Sequence, residues 1–442
     1  MKVMKFGGTS VGSAERIKNV AELITSRGRN FVVLSAMSGT TNALVSITDY
    51  LRRVNIPAAS EAIHQLEQKY AAVVSDLLTS ETFRDLASEA IGEQIALLKA
   101  KCNKPEITEV DEREIIARGE LMSTALMKFH LLEQGRHVVL LPALDFMVKA
   151  SNDEPDIPLI ASRLSALMER HPDADIYLTQ GFICRNAAGE VDNLQRGGSD
   201  YTASLIGAAI QADEIEIWTD IDGMHNNDPR FVESTSPVSE LHFEEAAELA
   251  YFGAKILHPT CVLPAKVNNI PVRLLNTMQP TAPGTVIYNT PPSATIKAVA
   301  AKDNITAIKI KSGRMLLAYG FLRRVFEIFE SHRTPIDMIV TSEVGVSVTI
   351  DSERALDAII SDLKQYGTVT VDRDMVIICV VGDLQWANCG FQAQVIDALR
   401  TIPVRMISYG GSNYNISLLI HKSDKIRALN LLSQHLFNNH SL

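Results

Sequence analysis

The stretch KVMKFGGTS, residues 2 to 10, joins a short apolar run to two glycines and two hydroxyls, and a helical pattern follows from about Ala14. This order predicts a β-strand, a tight turn and a helix, the repeating unit of a parallel α/β sheet. Glycines let the main chain approach an anion closely, the N–H groups of the next helix point toward it, and Lys5 adds a positive charge. The stretch therefore predicts an anion site at the end of the first strand.

Two familiar phosphate motifs are excluded at this position. The spacing from Gly7 to Gly12 is that of a Walker A loop, but Ser13 and Ala14 stand where that loop needs lysine and serine or threonine. No G-x-G-x-x-G follows the strand either. A strand-end lysine beside a glycine turn is also compatible with a solvated loop, so this alternative stays open for the stretch taken alone.

Composition and charge narrow the class of protein. A chain of 442 residues is too long for one ordinary core, so we expect two or more domains, and 46% hydrophobic with 21% charged residues is typical of a globular protein. The net charge of −10 argues against nucleic acid or an anionic membrane as the main partner. An anion site must then be locally basic, and the candidates are Lys5, Arg196, Arg230 and Lys255.

The cysteines and the apolar runs indicate the compartment. Cys102, Cys184, Cys261, Cys379 and Cys389 form no C-x-x-C pair and lie mostly in apolar runs, which favours reduced core thiols over disulfides or a zinc site. Neither a signal peptide nor an apolar run long enough to cross a bilayer is visible. We expect a cytoplasmic protein.

Strand, polar loop and helix alternate through the first 290 residues, with a long helical stretch from about 60 to 135. The loops at 38–42 and 196–200 each place glycines and hydroxyls before a helix. One such loop would be interpreted as a solvated turn with a capping residue, but two in one α/β domain favour a bound anionic substrate. A short proline-rich stretch at 289–293 predicts a domain boundary.

Beyond this boundary a pattern of about 70 residues occurs twice. Residues 320–322 match 390–392, and residues 335–339 match 403–407. Each copy reads strand, glycine, helix, strand, strand, helix, and the first copy ends with one more strand. The second copy lacks that last strand, and Ile296–Ala300, before the first copy, has the pattern to supply it.

Motifs along the whole chain resemble those of aspartate kinases in the amino-acid kinase superfamily, in the family's order: KFGGTSV at 5–11, GELMS at 119–123, RGGSDYTA at 196–203, WTD at 218–220 and FGAKILHP at 252–259. The resemblance implies an α/β protein, with a three-layer αβα amino-acid kinase fold on a mostly parallel sheet, plus two ferredoxin-like βαββαβ ACT domains. The implied bounds are 1–290 for the catalytic domain, 305–373 for a first, inserted ACT domain, and 296–301 plus 374–442 for the second.

The activity implied by this resemblance is the ATP-dependent phosphorylation of the side-chain carboxylate of L-aspartate to 4-phospho-L-aspartate, the first step of lysine, methionine and threonine synthesis. Mg²⁺ would accompany ATP, and no separate metal site is expected. Phosphoryl transfer depends on positioning and charge neutralisation more than on a base. Because a carboxylate acceptor is already ionised near pH 7, the lack of a histidine or cysteine nucleophile motif is no objection.

Individual roles follow from the same resemblance; without it, each of these residues would be interpreted as a surface or capping residue. Lys5 would contact the transferring phosphoryl group and Asp200 would orient the cations. The aspartate contacts would be Thr41, Glu120, Arg196 and Ser199, with Arg196 at the α-carboxylate and Glu120 at the α-ammonium. The nucleotide contacts would be Lys5, Gly7, Gly8, Ser10, Thr219, Asp220, His225, Arg230, Lys255 and Ile256.

The ACT pair implies feedback regulation by a free amino acid, with L-lysine as the first expectation, bound between ACT modules. The expected contacts are Met315, Ala318, Gly320, Phe321, Leu322, Asp337, Ser342, Glu343 and Val344. The effector carboxylate would meet the N–H groups at the Gly320 turn, its α-ammonium Asp337, and its side-chain ammonium Glu343. We also expect a homodimer or homotetramer formed through the ACT domains.

Three departures from the family pattern leave details open. Where lysine-sensitive relatives often carry serine, this chain has Pro335, so threonine or no effector stays an alternative. Where relatives often have a tyrosine in the nucleotide loop, this chain has GMHNN at 223–227, so contact of His225 with the base is open. Residues 191–195 replace a threonine-rich stretch common in relatives.

Two alternative functions were weighed against an aspartate kinase. Kinases for glutamate, acetylglutamate or nucleoside monophosphates share the fold but lack the ACT pair and the FGGTS wording. An amino-acid-sensing protein on an inactive kinase scaffold is disfavoured because Lys5, Glu120, Arg196 and Asp200 are intact. Since the sequence ends after the ACT pair, we expect the monofunctional, lysine-sensitive type with no fused homoserine dehydrogenase.

Overall fold

The computed structural model of the chain describes residues 1–194, 197–253, 259–291, 293–312 and 319–437. They form two compact units, one of Met1–Met224 with Leu257–Asn289 and the other of His225–Ile256 with Thr290–Leu442. The boundary near Asn289 lies where the proline-rich stretch begins. Segment 225–256 belongs to the second unit, although the sequence analysis placed it in the first domain. In the described ranges, no helix has both the length and the apolar character needed to cross a membrane.

The strands, in chain order, are β1 Lys2–Phe6, β2 Asn30–Leu34, β3 Val138–Leu140, β4 Ile176–Gln180, β5 Ile183–Arg185, β6 Val191–Asn193, β7 Ile215–Thr219, β8 Glu240–His242, β9 Val272–Asn276, β10 Thr285–Tyr288, β11 Ile296–Lys311, β12 Ile339–Ser342, β13 Gly345–Ile350, β14 Thr368–Gly382, β15 Val404–Tyr409 and β16 Asn415–His421.

The α-helices are α1 Ala14–Thr25, α2 Thr40–Arg52, α3 Ile56–Leu77, α4 Glu81–Lys101, α5 Glu109–Glu133, α6 Ala143–Phe146, α7 Ile157–Glu169, α8 Gly198–Ile210, α9 Phe243–Tyr251, α10 Leu263–Val267, α11 Phe321–Ser331, α12 Leu356–Leu363, α13 Phe391–Ala398 and α14 Lys425–Leu436. Short 3₁₀ turns lie at Pro259–Val262 and Lys422–Asp424.

The first unit is built on a sheet in the order β3-β4-β2-β1-β7-β9-β10, parallel from β3 to β9 and antiparallel between β9 and β10. Every residue of β2 and all but the first of β1 are buried, as expected for apolar strands covered by helices on both faces. The predicted strand, turn and helix at the start of the chain are confirmed. Ser13 caps α1 by accepting a hydrogen bond from the Arg16 N–H at 3.3 Å.

Parallel pairing determines where the loops meet. Phe6 at the end of β1 lies between Leu34 of β2 and Trp218 of β7. The carboxyl ends of these strands therefore lie side by side at one edge of the sheet. Ligands of open α/β sheets bind beyond this edge, so we expect a binding site at the loops after β1, β2, β4 and β7.

The second unit contains a six-stranded sheet in the order β12-β13-β11-β14-β16-β15, and each neighbouring pair of strands in this order is antiparallel. The two long strands β11 and β14 are shared between the sequence repeats. Residues 306–311 of β11 lie beside β13 of the first copy, and residues 296–302 pair with 377–382 of β14, which lies beside β16 of the second. Thus 296–302 occupies the position for which the repeat predicted a missing strand.

Each copy of the repeat has its own apolar core. Val325 and Phe329 of α11 pack in one cluster with Val348 of β13 and Leu363 of α12. In the second copy Val395 of α13 packs with residues of β14, β16 and α14. The order of strands and helices read from the repeat is therefore present twice, as expected for the two ferredoxin-like domains that the resemblance implies.

Candidate active site

A cavity of about 560 Å³ lies beyond the carboxyl edge of the first unit's sheet. Its lining combines one lysine, two acidic residues, hydroxyls and glycines from β1, from the loops after β1, β2 and β4, from α5 and from the starts of α2 and α8: Lys5, Gly8, Thr9, Ser35, Ala36, Met37, Ser38, Gly39, Thr41, Asn42, Glu120, Phe182, Gly197, Gly198, Ser199 and Asp200. This mixture suits a small polar substrate that carries charges of both signs.

The turn after β1 is packed tightly against the neighbouring loops. The Gly7 N–H donates to the Trp218 carbonyl at 3.1 Å, and the Ser38 N–H donates to the Gly8 carbonyl at 3.0 Å. A Cβ atom added to Gly8 would lie 2.7 Å from the Ala36 carbonyl oxygen. Because real Cβ contacts are not this short, the loops after β1 and β2 can approach each other only with glycine here.

Two helices begin at the cavity without side-chain caps. Both α2 and α8 follow a glycine in the left-handed region, Gly39 at φ 78° and Gly197 at φ 74°, and neither cap position carries a capping side chain. The first N–H groups of a helix have no partner within the helix and carry a partial positive charge. The two helix starts therefore supply main-chain donors for anionic groups, which the sequence had indicated only as two glycine-rich loops.

Lys5 and Asp200 form an ion pair across the cavity floor. Lys5 is near the end of β1 and Asp200 is in the first turn of α8, and their Nζ and Oδ1 atoms lie 2.6 Å apart. Their side chains are only 11% and 13% exposed. Asp200 thus holds the Lys5 ammonium beside the glycine turn after β1. A cation in this position can neutralise charge on a phosphoryl group.

Glu120 presents an unsatisfied carboxylate oxygen in the cavity wall. Its Oε1 accepts from the Ala36 N–H at 3.2 Å, whereas its buried Oε2 has no hydrogen-bond partner among the described residues. Burial raises the pKa of this carboxyl to about 8, against a lowering by the Ala36 N–H. Gly119 allows the close approach of α5, since a Cβ there would lie 2.8 Å from the Ala36 Cβ. A cationic ligand group would satisfy Oε2 and favour the ionised form.

Six of the residues implied by the resemblance line this one cavity: Lys5, Gly8, Thr41, Glu120, Ser199 and Asp200. Gly7 belongs to the same turn. Ser10 does not line the cavity, because its hydroxyl is buried and lies 2.7 Å from the Thr277 hydroxyl. Its neighbour Thr9 lines the cavity instead.

The expected nucleotide contacts are spread more widely. Thr219 ends β7 and Asp220 follows it at the same sheet edge, but neither lines the cavity, and the Thr219 hydroxyl donates to Asp220 at 3.1 Å. His225 and Arg230 are in the second unit. There the Arg230 guanidinium is bonded to both carboxylate oxygens of Asp228. Arg196, Lys255 and Ile256 lie outside the described residues.

Several cavity residues were missed by the sequence analysis. Thr9, Ser35 and Ser38 follow strands, so their position after a strand was the available signal. Phe182 also follows a strand, β4, but its side chain is apolar and gave no chemical signal. It has a left-handed φ of 68°, and its N–H donates to the Thr202 hydroxyl at 3.0 Å. A non-glycine residue in this conformation is strained, and such strain is often stored at functional sites.

The expected effector residues divide into two groups at opposite ends of β12. Ser342, Glu343 and Val344 form the turn into β13, and the Val344 carbonyl accepts from the Ser312 N–H at 2.9 Å. β11 ends at Lys311, opposite Gly345, and Gly320, Phe321 and Leu322 follow this end in the chain at the start of α11. Met315 and Ala318 lie outside the described residues.

Asp337 lies before the other end of β12, about 16 Å along the strand from Ser342 at 3.3 Å per residue. Its Oδ1 is 2.5 Å from Lys302 Nζ and accepts from the Tyr251 hydroxyl at 2.7 Å. The structure therefore does not place Asp337 with the other effector residues of the same module, because an extended strand separates them.

Comparison with protein families gives two matches. The model of the amino acid kinase family matches residues 1–276, and an ACT domain model matches residues 378–436. The first match contains every cavity residue, and the second covers most of the second sequence repeat.

Individual proteins are similar over nearly the whole chain. Lysine-sensitive aspartokinase 3 of Escherichia coli K12 is 32% identical, over 98% of this chain and 99% of that protein. Chloroplastic aspartokinase 3 of Arabidopsis thaliana is 34% identical, over 96% and 79%. Structures of E. coli aspartokinase III, with aspartate and ADP in the R-state and with lysine and aspartate in the T-state, superpose with TM-scores of 0.84 and 0.82 at 32% identity. Each covers 99% of this chain, and 100% and 99% of the respective solved chain is matched.

Proposed function

The chain belongs to the aspartokinases of the amino acid kinase family, which transfer the γ-phosphoryl group of ATP to the side-chain carboxylate of L-aspartate, and from this premise we propose how its residues divide that work. The observation that carries the proposal is the cavity in which the Lys5–Asp200 ion pair and the unsatisfied Glu120 carboxylate face a shared space beside two uncapped helix starts.

The acceptor half of the cavity suits an α-amino acid. Glu120 receives the α-ammonium, because its Oε2 is buried without a partner among the described residues and gains both a charge and a donor there. Thr41 and Ser199 line the cavity as hydrogen-bonding neighbours. Arg196, which follows β6 and precedes the α8 start, receives the α-carboxylate. The side-chain carboxylate then remains directed toward the glycine turn and Lys5.

The phosphoryl half is centred on β1. Lys5, Gly7 and Gly8 neutralise and cradle the transferring group, and Asp200 keeps the Lys5 ammonium in position. The acceptor carboxylate is ionised near pH 7, so no group has to deprotonate it. Thr219, Asp220, His225, Arg230, Lys255 and Ile256 are proposed as contacts to the rest of ATP.

Mg²⁺ is proposed to enter with the nucleotide. The described residues contain no group of three acidic, histidine or cysteine side chains that could hold a metal by itself. Mg²⁺ keeps several waters and takes phosphate oxygens alongside one or two carboxylates, which fits a site with Asp200 as the nearby acid. Its chemistry would be to neutralise charge on the phosphates.

Acceptor specificity tests this assignment. With ATP and Mg²⁺, we expect the purified protein to form an acyl phosphate, trapped by hydroxylamine as a hydroxamate, with L-aspartate. L-glutamate, whose carboxylate is one methylene further from the ammonium, is expected to react at least about tenfold less efficiently. N-acetyl-L-aspartate, which lacks the ammonium that Glu120 receives, is expected to be inert. Equal rates with L-glutamate, or ATP consumption without an acceptor, would contradict the assignment.

L-lysine is proposed as the effector, on the basis of the lysine-bound E. coli structure and the charges around β12. One chain cannot bring Asp337 and Ser342 into one small site, because an extended stretch of about 16 Å, which includes β12, separates them. β12 is the edge strand of its sheet. Antiparallel pairing of β12 with the same strand of a second copy would place the Asp337 end of one chain beside the Ser342 end of the other. A two-fold dimer therefore completes the proposed effector site.

Titration of the kinase activity tests the effector. L-lysine is expected to inhibit, while L-threonine and L-methionine, added singly, leave the rate unchanged. Glu343→Gln is expected to raise the lysine concentration for half-inhibition roughly tenfold, because an anionic partner of the side-chain ammonium is lost. Glu330→Gln, an exposed acid on α11, serves as the matched control and should not change it. Inhibition by threonine alone, or by none of the three, would reject lysine as effector.

A cytoplasmic location is proposed for the enzyme. None of the cysteines in the described residues forms a disulfide, and three of them, Cys184, Cys261 and Cys379, are buried. Free thiols persist in reducing compartments, which supports the location predicted from the composition.

A further inference from the structure

Lys69 is a half-buried cation beside the cavity to which the assignments above give no role. It lies on α3, and its Nζ donates to the Ser38 carbonyl at 2.6 Å and lies 3.5 Å from the Thr40 hydroxyl. Among the described residues these are the polar contacts of its ammonium, and neither is an acid. An ammonium taken partly out of water without a carboxylate partner costs free energy. A gain in stability therefore does not explain a lysine at this position, and its contacts indicate a functional reason.

The bond from Lys69 determines the orientation of the Ser38–Gly39 peptide. This peptide is trans, so its C=O and N–H point in opposite directions. The carbonyl points to Lys69, which is not among the residues lining the cavity, while both Ser38 and Gly39 line it. The Gly39 N–H is therefore directed toward the cavity, and it makes no hydrogen bond to another described residue.

Because residue 39 is a glycine, the orientation of the Ser38–Gly39 peptide depends on a contact from outside the turn. The Gly39 φ of 78° lies in the left-handed region, and glycine adopts positive and negative φ with similar ease. The peptide before it can therefore rotate at low cost unless something holds the carbonyl. The Lys69 ammonium supplies that contact, and it also polarises the peptide, which makes the N–H a better donor.

The turn held by Lys69 lies on the Glu120 side of the cavity. The Thr40 side chain is fully buried against α5, and a Cβ added to Gly119 would lie 3.3 Å from Thr40 Cγ2. The same loop carries Ala36, whose N–H donates to Glu120. A ligand whose ammonium meets Glu120 has its carboxylates within the cavity that the Gly39 N–H faces.

We propose that Lys69 is a positioning residue, which holds the Ser38–Gly39 peptide so that the Gly39 N–H donates to a carboxylate of bound L-aspartate. The proposal rests on the aspartate site described above. It assigns the contact to the amino-acid substrate and not to the nucleotide, whose phosphates belong to the Lys5 side of the cavity. Lys69 itself does not touch substrate.

The test compares Lys69→Met, which keeps the side-chain length but removes the donor, with Lys69→Arg, which restores a cationic donor. Lys18→Met is the matched control, because the Lys18 ammonium also donates to a main-chain carbonyl, that of Asp76, but on the exposed surface. Equilibrium binding of L-aspartate and of Mg·ADP is measured by calorimetry on each full-length variant, with kcat and KM for both substrates. Thermal unfolding reports whether each variant is folded.

In Lys69→Met we expect the Kd and the KM for L-aspartate to rise about tenfold, because the aspartate carboxylate loses one charge-assisted hydrogen bond, that from the Gly39 N–H. Binding of Mg·ADP and the KM for ATP should stay within twofold of wild type. Lys69→Arg should recover most of the aspartate affinity, and Lys18→Met should behave as wild type. A merely structural role would weaken both ligands together and would be visible in the unfolding temperature.

Unchanged aspartate binding in a folded Lys69→Met variant would overturn the proposal, as would a loss confined to Mg·ADP or a failure of arginine to restore binding. These results are distinguishable from failure of the aspartokinase assignment. If the wild-type protein forms no acyl phosphate from L-aspartate, the assignment itself fails. If the wild type is active and Lys69→Met matches it, only the role of Lys69 is wrong.

Discussion

Replacing Lys5 by alanine is expected to lower kcat for aspartate phosphorylation by about a thousandfold or more. The Lys5 ammonium lies in the cavity at the glycine turn, 2.6 Å from Asp200, and is only 11% exposed. Charge on the transferring phosphoryl group has to be neutralised in a site from which water is largely excluded, where a fixed cation is worth most. The loss should appear in kcat more than in the KM for aspartate, because the contact of the Lys5 ammonium with the phosphoryl group strengthens as that group is transferred.

Lys2→Ala is the matched control for this variant. Lys2 belongs to the same strand but lies at the opposite edge of the sheet, where it pairs with Glu214 and Glu216. We expect its kcat to stay within a few-fold of wild type. Lys5→Ala leaves Asp200 without its cation, so Lys5→Gln, which retains donors to Asp200, should be measured beside it, with circular dichroism to verify folding. A folded Lys5 variant with near wild-type kcat would show that the phosphoryl site is elsewhere.

Glu120→Gln is expected to raise the KM for L-aspartate about a hundredfold and to leave the KM for ATP almost unchanged. The carboxylate is 4% exposed, and its Oε2 has no partner among the described residues until a ligand binds. The amide keeps the shape of the side chain but cannot supply the negative charge that the α-ammonium needs. Steady-state kinetics with each substrate varied in turn will separate the two constants.

The same residue predicts a pH dependence of aspartate binding. Burial raises the pKa of Glu120 to about 8 in the free protein, so at pH 7 the carboxyl is mostly protonated. The ammonium of bound aspartate favours the carboxylate, so binding should release close to one proton, and affinity should fall as the pH decreases below about 8. Calorimetry in buffers of different ionisation enthalpy measures this proton. It should be absent in Glu120→Gln.

Glu112→Gln provides the control on the same helix. Glu112 is on α5 and forms a partly exposed ion pair with Arg52, a kind of contact that contributes little. This variant should retain the wild-type KM and the proton release. If Glu112→Gln and Glu120→Gln changed the aspartate KM equally, Glu120 would have no special role. If Glu120→Gln weakened only ATP, the proposed division of the cavity would be wrong.

The raised pKa of Glu120 also affects stability in the absence of ligand. Its folded value, about 8, lies above the unfolded value of 4.5, so the folded state binds a proton more tightly. The free energy of unfolding should therefore fall as the pH rises from about 4.5 through 8, because the buried carboxyl has to ionise. Aspartate should reverse this loss by satisfying the charge.

Much of the fold and part of the site follow from residues that are close together in the chain. Apolar runs before glycine-rich loops predict β1 and β2, the helical pattern from about Ala14 predicts α1, and the repeated pattern predicts the paired strands of the second unit, all confirmed. Lys5, Gly8 and Ser199 could be named in advance because a strand end or a helix start determines their place. These features depend on local backbone conformation and on which residues are apolar, so sequence alone determines them.

Contacts between distant parts of the chain decided the rest. Ser10 and Thr9 are both hydroxyls in one turn, and only the packing against Thr277 turns Ser10 away from the cavity. Lys69 is 31 residues from Ser38, so no local pattern connects its ammonium to that carbonyl. The pKa of Glu120 depends on the α5 packing that buries it, and Lys302 and Tyr251 both bond to Oδ1 of Asp337. Burial and pairing are set by neighbours in space, which is why tertiary structure determines the charge state and the accessible partners of a site.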